Sequence, residues 1–255
     1  MSQSTSQAAG QAAGRVAAPA SADAELRATL TRVTTATASA MLYRRGYPFT
    51  FMLGATPIQR GARVCGRAVT LRFGPGRPDL AVSEADRNTK DPMWVAIESL
   101  GPGDFLVMDC GGNQSGATTG DILAARIQFR GAVGILCDGA IRDAAQIREL
   151  VGLPAWSLGV QGLGFTPNLV SLDWNVPVRA FGVTVVPGDY ILADDDGAVA
   201  IPASLAQEIA DVCSEQEHKE EFIRGLVQQG VPVSECYPPN AATLEQYEAW
   251  KRSHQ

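Results

Sequence analysis

Phe105-Leu106-Val107-Met108 runs into Asp109-Cys110-Gly111-Gly112, and Val133-Gly134-Ile135-Leu136-Cys137 runs into Asp138-Gly139-Ala140-Ile141-Arg142-Asp143. Each is a short apolar run closed by an acid and glycine, the pattern of a strand buried on both faces. A helix is predicted between them, from about Gly120 to Phe129, and another beginning near Arg142. Strand, helix, strand, helix at this spacing predicts a βαβα unit with parallel neighbouring strands. The loops after both strands then share one sheet edge, where open α/β folds place their ligands.

Outward from this unit, Val64 to Phe73 reads as a strand and Met93 to Leu100 as a helix stopped by Gly101-Pro102-Gly103. Upstream, Leu26, Leu30 and Val33 recur at helical spacing, and a second helical piece from Thr37 to Arg45 ends at Gly46. Downstream, strands are predicted at Val178 to Val185, Tyr190 to Ala193 and Ala198 to Ile201. The last two are joined by the turn Asp194-Asp195-Asp196-Gly197, which lacks the spacing of a calcium loop. A long amphipathic helix follows from Ala203 to Gln228, and Thr243 to Arg252 reads as a last short helix. Residues 1–22 are almost entirely Ala, Ser, Gln and Gly, a composition expected to stay disordered. Residues 23–255 are therefore read as one α/β domain with a C-terminal helical extension.

Composition narrows the function classes. Lys+Arg 21 against Asp+Glu 27 gives a formal net charge of −6, which argues against nucleic-acid binding through bulk positive charge. No apolar run is long enough to span a bilayer, and the N-terminus lacks a basic start followed by an apolar stretch, so a cytoplasmic protein is expected. The five cysteines include no CxxC pair, and Cys110 and Cys137 end apolar runs as small buried side chains would. His218 and His254 are the only histidines, which leaves no conventional Ser/His triad.

The residues that could carry chemistry cluster around the βαβα unit. Backbone N–H groups of Ile122 and Leu123, after Gly120, offer an anion site at a helix start, with a carboxylate as a natural guest. Arg142 adds a fixed charge suited to a carboxylate or enolate, while Asp121 and Asp143 are hard oxygen ligands for Mg²⁺ or Mn²⁺. The plainer readings are helix-dipole partners for the two acids and a surface ion pair for Arg142 with Asp143.

Gly61-Ala62-Arg63, Gly66-Arg67-Ala68-Val69-Thr70, Pro102-Gly103-Asp104, Gly111-Gly112, Gly120-Asp121, Asp138 to Asp143 and Ala193 to Gly197 together resemble one family. It contains 4-hydroxy-4-methyl-2-oxoglutarate aldolase and the regulator of ribonuclease activity A. The aldolase branch is marked by Asp, twenty residues, then Arg-Asp; here Asp121 is followed by residues 122–141 and then Arg142-Asp143. The resemblance covers nearly everything after the Ala/Gln-rich tail. The sequence departs from it in Thr35 to Ala40, which lacks a frequent Ser-Asp pair, and in a longer C-terminal segment.

The resemblance implies an α-β-β-α sandwich of the phosphohistidine-swivelling (RraA-like) type with a parallel βαβ core, assembled as a homotrimer or homohexamer. It implies a divalent metal held by Asp143 and, through water, by Asp121, with Arg142 on the substrate's 2-keto oxygen. Gly120, Ile122 and Leu123 fall where the pyruvoyl portion binds. One of Glu217, Glu220 or Glu221 from a neighbouring subunit would reach the site through water. The expected activity is a metal-dependent class II aldolase, cleaving a 4-hydroxy-2-oxo acid to pyruvate through an enolate, with oxaloacetate decarboxylation on the side. The alternatives are a protein-binding regulator of ribonuclease activity and a dehydratase of a sugar-derived 2-oxo acid. Neither nucleic acid nor membrane is an expected partner.

Overall fold

The computed structural model describes residues 20–253. Two helices, α1 (Ala20–Thr31) and α2 (Thr35–Arg44), open the fold. The strands are β1 (Phe51–Met52), β2 (Thr56–Pro57), β3 (Val64–Pro75), β4 (Asp104–Asp109), β5 (Gly134–Ile141), β6 (Ala155–Val160) and β7 (Leu169–Trp174). These are followed by β8 (Val178–Ala180), β9 (Val183–Val185), β10 (Tyr190–Asp194) and β11 (Gly197–Ile201). Between strands lie α3 (Arg87–Lys90), α4 (Pro92–Ser99), α5 (Asp121–Phe129) and α6 (Ala144–Gln146), and after them α7 (Ala206–Gln228), α8 (Val233–Cys236) and α9 (Ala241–Ser253).

The main sheet runs β1-β11-β10-β3-β4-β5-β6-β2, with β7 paired to β3. Its centre, β3 through β6, is parallel, and the flanks are antiparallel. The mixed α/β architecture with a parallel βαβ core is the one expected from the sequence. Side chains alternate across the centre as a two-residue period requires. Leu106, Met108, Ile135 and Cys137 pack with Ile97 of α4 and Ile127 of α5 on one face. Phe105, Val107 and Leu136 pack with Trp156 and the β8–β9 hairpin on the other. The Phe105 and Trp156 rings lie 5.9 Å apart, and Trp156 Nε1 donates to the Asp194 carbonyl at 2.7 Å, so the indole's polar atom is satisfied at full burial. A third cluster joins Leu30, Leu42 and Ile209 of α1, α2 and α7 to Leu192, Val199 and Ile201.

Local signals account for the helix ends. The Thr34 hydroxyl accepts from the Thr37 amide to cap α2, and Asp91 caps α4 by accepting from the Met93 amide at 2.9 Å, with Pro92 in the first turn.

Several expectations change. Val178 to Val185 is not one strand: Phe181 (φ 50°) and Gly182 (φ 81°) turn the chain back, giving the hairpin β8–β9. The helix expected near Arg142 is a single turn, α6, continued by a π-helical turn Ile147–Val151. Strands β6 and β7 were not anticipated. Helix α1 starts three residues inside the predicted tail, and residues 1–19 of that tail lie outside the described residues, as does His254. Phe222 and Ile223, an adjacent apolar pair on α7, are buried within the chain rather than left for a neighbour: α8 and α9 fold back so that Cys236, Tyr247 and Trp250 cover them. Among the described residues no helix is long and apolar enough to cross a membrane.

Candidate active site

The chain leaves β4 through Gly111 and Gly112 and returns along the end of β5. Ala117 bridges to Ala140 and to Gly164, the Thr118 amide donates to the Ala140 carbonyl at 3.0 Å, and the Arg142 amide donates to the Thr119 carbonyl at 2.9 Å. This stitching brings the start of α5 against the end of β5. A cleft of about 270 Å³ opens there, its lining including Asp121, Leu123, Arg142, Gly164, Phe165 and Thr166.

Gly120 holds the centre of this arrangement. Its φ of −115° is open to any residue, so space rather than conformation requires glycine. A Cβ here would stand 2.5 Å from Asp143 Oδ2 and 3.0 Å from Arg142 Nε. Asp143 itself adopts the left-handed region (φ 56°, ψ 36°), a backbone cost of about 1 kcal/mol that clusters at functional positions. That conformation turns its carboxylate back over Gly120, where it lies 3.3 Å from Arg142 Nε. Both side chains are substantially exposed, so the pair adds little to stability and remains available to a ligand.

The sequence-predicted residues Gly120, Asp121, Ile122, Leu123, Arg142 and Asp143 are thus brought together. One detail differs. The Ile122 amide is not free: it donates to the Asp121 carboxylate at 2.9 Å, because an acid in the first turn can bend back onto the unpaired amides there. Leu123 supplies the remaining first-turn amide at the cleft.

The three glutamates sit elsewhere in the chain. Glu217 accepts from the Thr34 amide at 2.9 Å and the Thr34 hydroxyl at 2.8 Å, tying α7 to the start of α2. Burial raises its pKa, but these bonds and the charge of Arg63 outweigh burial and hold it below the ordinary glutamate value. Glu220 accepts from Gln216, and Glu221 is exposed. Beside Glu217 lies a network that sequence reasoning missed: buried Asp194 accepts from the Thr35 amide at 2.9 Å and hydroxyl at 2.7 Å, and Asp195 from the Gly61 amide at 2.8 Å. No periodic signal marks it, since its members come from four separated segments.

A second cleft lies at the same sheet edge, between the carboxylates of Asp109 and Asp138 and the Arg179 side chain. Burial pushes the Asp138 carboxyl up to about 6 despite backbone donors from Phe181 and Gly112. Cys110 and Cys137, 3.9 Å apart at the sulfurs, are buried, as expected of packing residues, and the contact with Cys137 together with burial pushes the Cys110 thiol well above its ordinary value.

The family described as Aldolase/RraA, RraA-like, matches residues 35–200. The chain belongs to the RraA-like family. A Thermus thermophilus relative named 4-hydroxy-4-methyl-2-oxoglutarate aldolase is 33% identical over 110 residues, 42% of this chain and 63% of that protein. A Deinococcus radiodurans relative, provisionally given the same name, is 32% identical over 157 residues, 58% of this chain and 86% of its own. The chain thus spans under two thirds of the Thermus relative and most of the Deinococcus one. Among solved RraA-like structures, that of Streptomyces coelicolor RraAS2, described as an unusual member of the RNase ES inhibitor RraA protein family, shares 39% identity. Its TM-score is 0.71, covering 79% of this chain and 96% of that one. The family match ends before α7.

Among the described residues no three His, Cys, Asp or Glu side chains converge, which speaks against a closed structural metal site. Asp121 lines the cleft and the Asp143 carboxylate lies against Gly120 beside it, which matches the habit of Mg²⁺, held by one or two carboxylates and completed by water and substrate. The residues present fit such an ion.

Proposed function

We propose that this protein is a divalent-metal-dependent aldolase that cleaves a 4-hydroxy-2-oxo acid to pyruvate. The observation that carries the reading is the joint placement of Arg142, Asp143 and the α5 start around the space left by Gly120. Asp143, with Asp121 through water, would hold Mg²⁺ or Mn²⁺, which supplies Lewis-acid polarisation of the 2-oxo group. The Arg142 guanidinium, a planar fork, binds the keto oxygen and carboxylate and offsets the negative charge that develops on the pyruvate enolate. The Leu123 amide, at the positive end of α5, orients the carboxylate. Asp121 positions water to take the C4 hydroxyl proton, a task for which no histidine among the described residues lines the cleft. Decarboxylation of oxaloacetate passes through the same enolate and is the expected side activity.

The cleft is open to solvent in one chain, and a homo-oligomer in which a neighbour closes it is part of the proposal, with Glu217, Glu220 or Glu221 as the neighbour's acid. Of the three, Glu217 is already directed by Thr34 in its own chain. The test is pyruvate release from a panel of 4-hydroxy-2-oxo acids and oxaloacetate, with Mg²⁺, with Mn²⁺ and with excess chelator. Metal-dependent release supports the aldolase. Full turnover in chelator, or no release together with metal-independent inhibition of a ribonuclease, refutes it.

A further inference from the structure

The second cleft, at the end of β4 and β5, takes no part in the aldolase reading. It measures about 450 Å³, within the range of small-molecule sites, and among the described residues its lining shares no member with the first cleft. Asp109 and Asp138 are register partners on these neighbouring parallel strands. The two-residue period puts both on the face that carries Phe105, Val107 and Leu136, which packs against the β8–β9 hairpin. Like charges in register repel each other, so the pair is a cost to the sheet. Backbone amides hold both carboxylates in place: Gly111 donates to Asp109 at 2.9 Å and Arg179 at 3.1 Å, while Phe181 and Gly112 donate to Asp138. Asp138 is buried, and burial joined by the charge of Asp109 raises its carboxyl to about 6, so near neutral pH it ionises at a cost that a cation would offset.

Arg179 brings the opposite charge to the same cavity. Its field acts on Asp138, yet among the described residues its guanidinium pairs with neither acid, which leaves the two signs of charge apart within one cleft. Leu53, Leu158 and Phe181 add hydrocarbon to the lining, and Gly111 and Gly112 leave space unfilled. A simple inorganic cation would gain from the acids and be repelled by Arg179, and a simple anion the reverse. A zwitterion with a hydrocarbon side chain uses all three parts of the lining.

We propose that the second cleft binds a free α-amino acid with an apolar side chain. Its ammonium sits on the Asp109 and Asp138 carboxylates, its carboxylate on Arg179, and its side chain against Leu53, Leu158 and Phe181.

Titration calorimetry on the full chain compares L-leucine with three analogues: 3-methylbutylamine lacks the carboxylate, 4-methylpentanoate lacks the ammonium, and glycine lacks the side chain. Leucine is expected to bind about tenfold tighter or more than each, because every analogue leaves one part of the lining without its partner. Arg179→Gln removes a charge at an exposed position and is expected to weaken leucine by about tenfold while leaving 3-methylbutylamine unchanged. Asp109→Asn keeps an acceptor for the Gly111 and Arg179 amides, and should weaken leucine and the amine alike without weakening 4-methylpentanoate. Arg142→Gln, in the first cleft, is expected to leave leucine binding intact. The proposal is overturned by absence of leucine binding, by an analogue that binds as tightly as leucine, or by a loss through Arg142→Gln in place of Arg179→Gln. None of these measurements involves pyruvate release, so failure of the aldolase reading leaves the proposal standing.

Discussion

The Asp143 carboxylate occupies the space that a side chain at residue 120 would need: Asp143 Oδ2 lies 2.5 Å from the position of a Gly120 Cβ. Gly120→Ala must therefore push aside both Asp143 and Arg142. The expected result is loss of pyruvate release by about a hundredfold or more, since small misplacements of reacting groups cost that much. The melting temperature should change little, because the displaced side chains are exposed. Activity beside thermal denaturation checks both.

Asp143, the proposed metal ligand, has a left-handed backbone. Asn tolerates that conformation and Ala does not. Asp143→Asn is expected to abolish turnover and weaken Mn²⁺ binding without lowering stability, whereas Asp143→Ala should cost about 1 kcal/mol as well. Mn²⁺ titration and urea unfolding separate the two effects.

Arg142→Lys keeps the charge and loses the fork. If Arg142 acts chiefly on the developing enolate, kcat should fall by about a hundredfold. A normal kcat with a raised KM would assign it to substrate binding alone.

Asp138 has its carboxyl raised to about 6, chiefly by burial. A carboxyl raised in the folded state favours the neutral form, so its contribution to stability is full below about pH 4 and is lost as pH rises through 6. Asp138→Asn should therefore stabilise the protein at pH 8, by up to about 2 kcal/mol, with the gain vanishing near pH 4. Urea midpoints of both proteins at the two pH values give the answer.

Glu217 shows the opposite sign: its pKa is held below the ordinary value by Thr34, so its stabilisation is present above that value and is lost as pH falls through the lowered one. Glu217→Gln should cost about 1 kcal/mol at neutral pH by weakening the tie between α7 and α2. Were it also the neighbour's acid, activity would fall further than this loss explains, most clearly in protein dilute enough to dissociate.

What the sequence determined by itself is what local pattern encodes. The apolar runs ending at Asp109 and Asp138 specify buried strands, and an intervening helix forces them parallel, because the chain needs a crossover to return. The spacing from Asp121 to Arg142-Asp143 pointed to the candidate site through the family resemblance, and both ends lie on this one unit. Other features depend on contacts between distant segments. Phe181-Gly182 turning the segment from Val178 to Val185 into a hairpin, α8 and α9 covering Phe222, and Glu217 held by Thr34 across 183 residues leave no periodic trace. Only the tertiary structure decided that the Asp121 carboxylate takes the Ile122 amide and that Gly120 is glycine for space. Hydrogen-bond geometry and steric contact act over a few ångströms in space, whatever the separation along the chain.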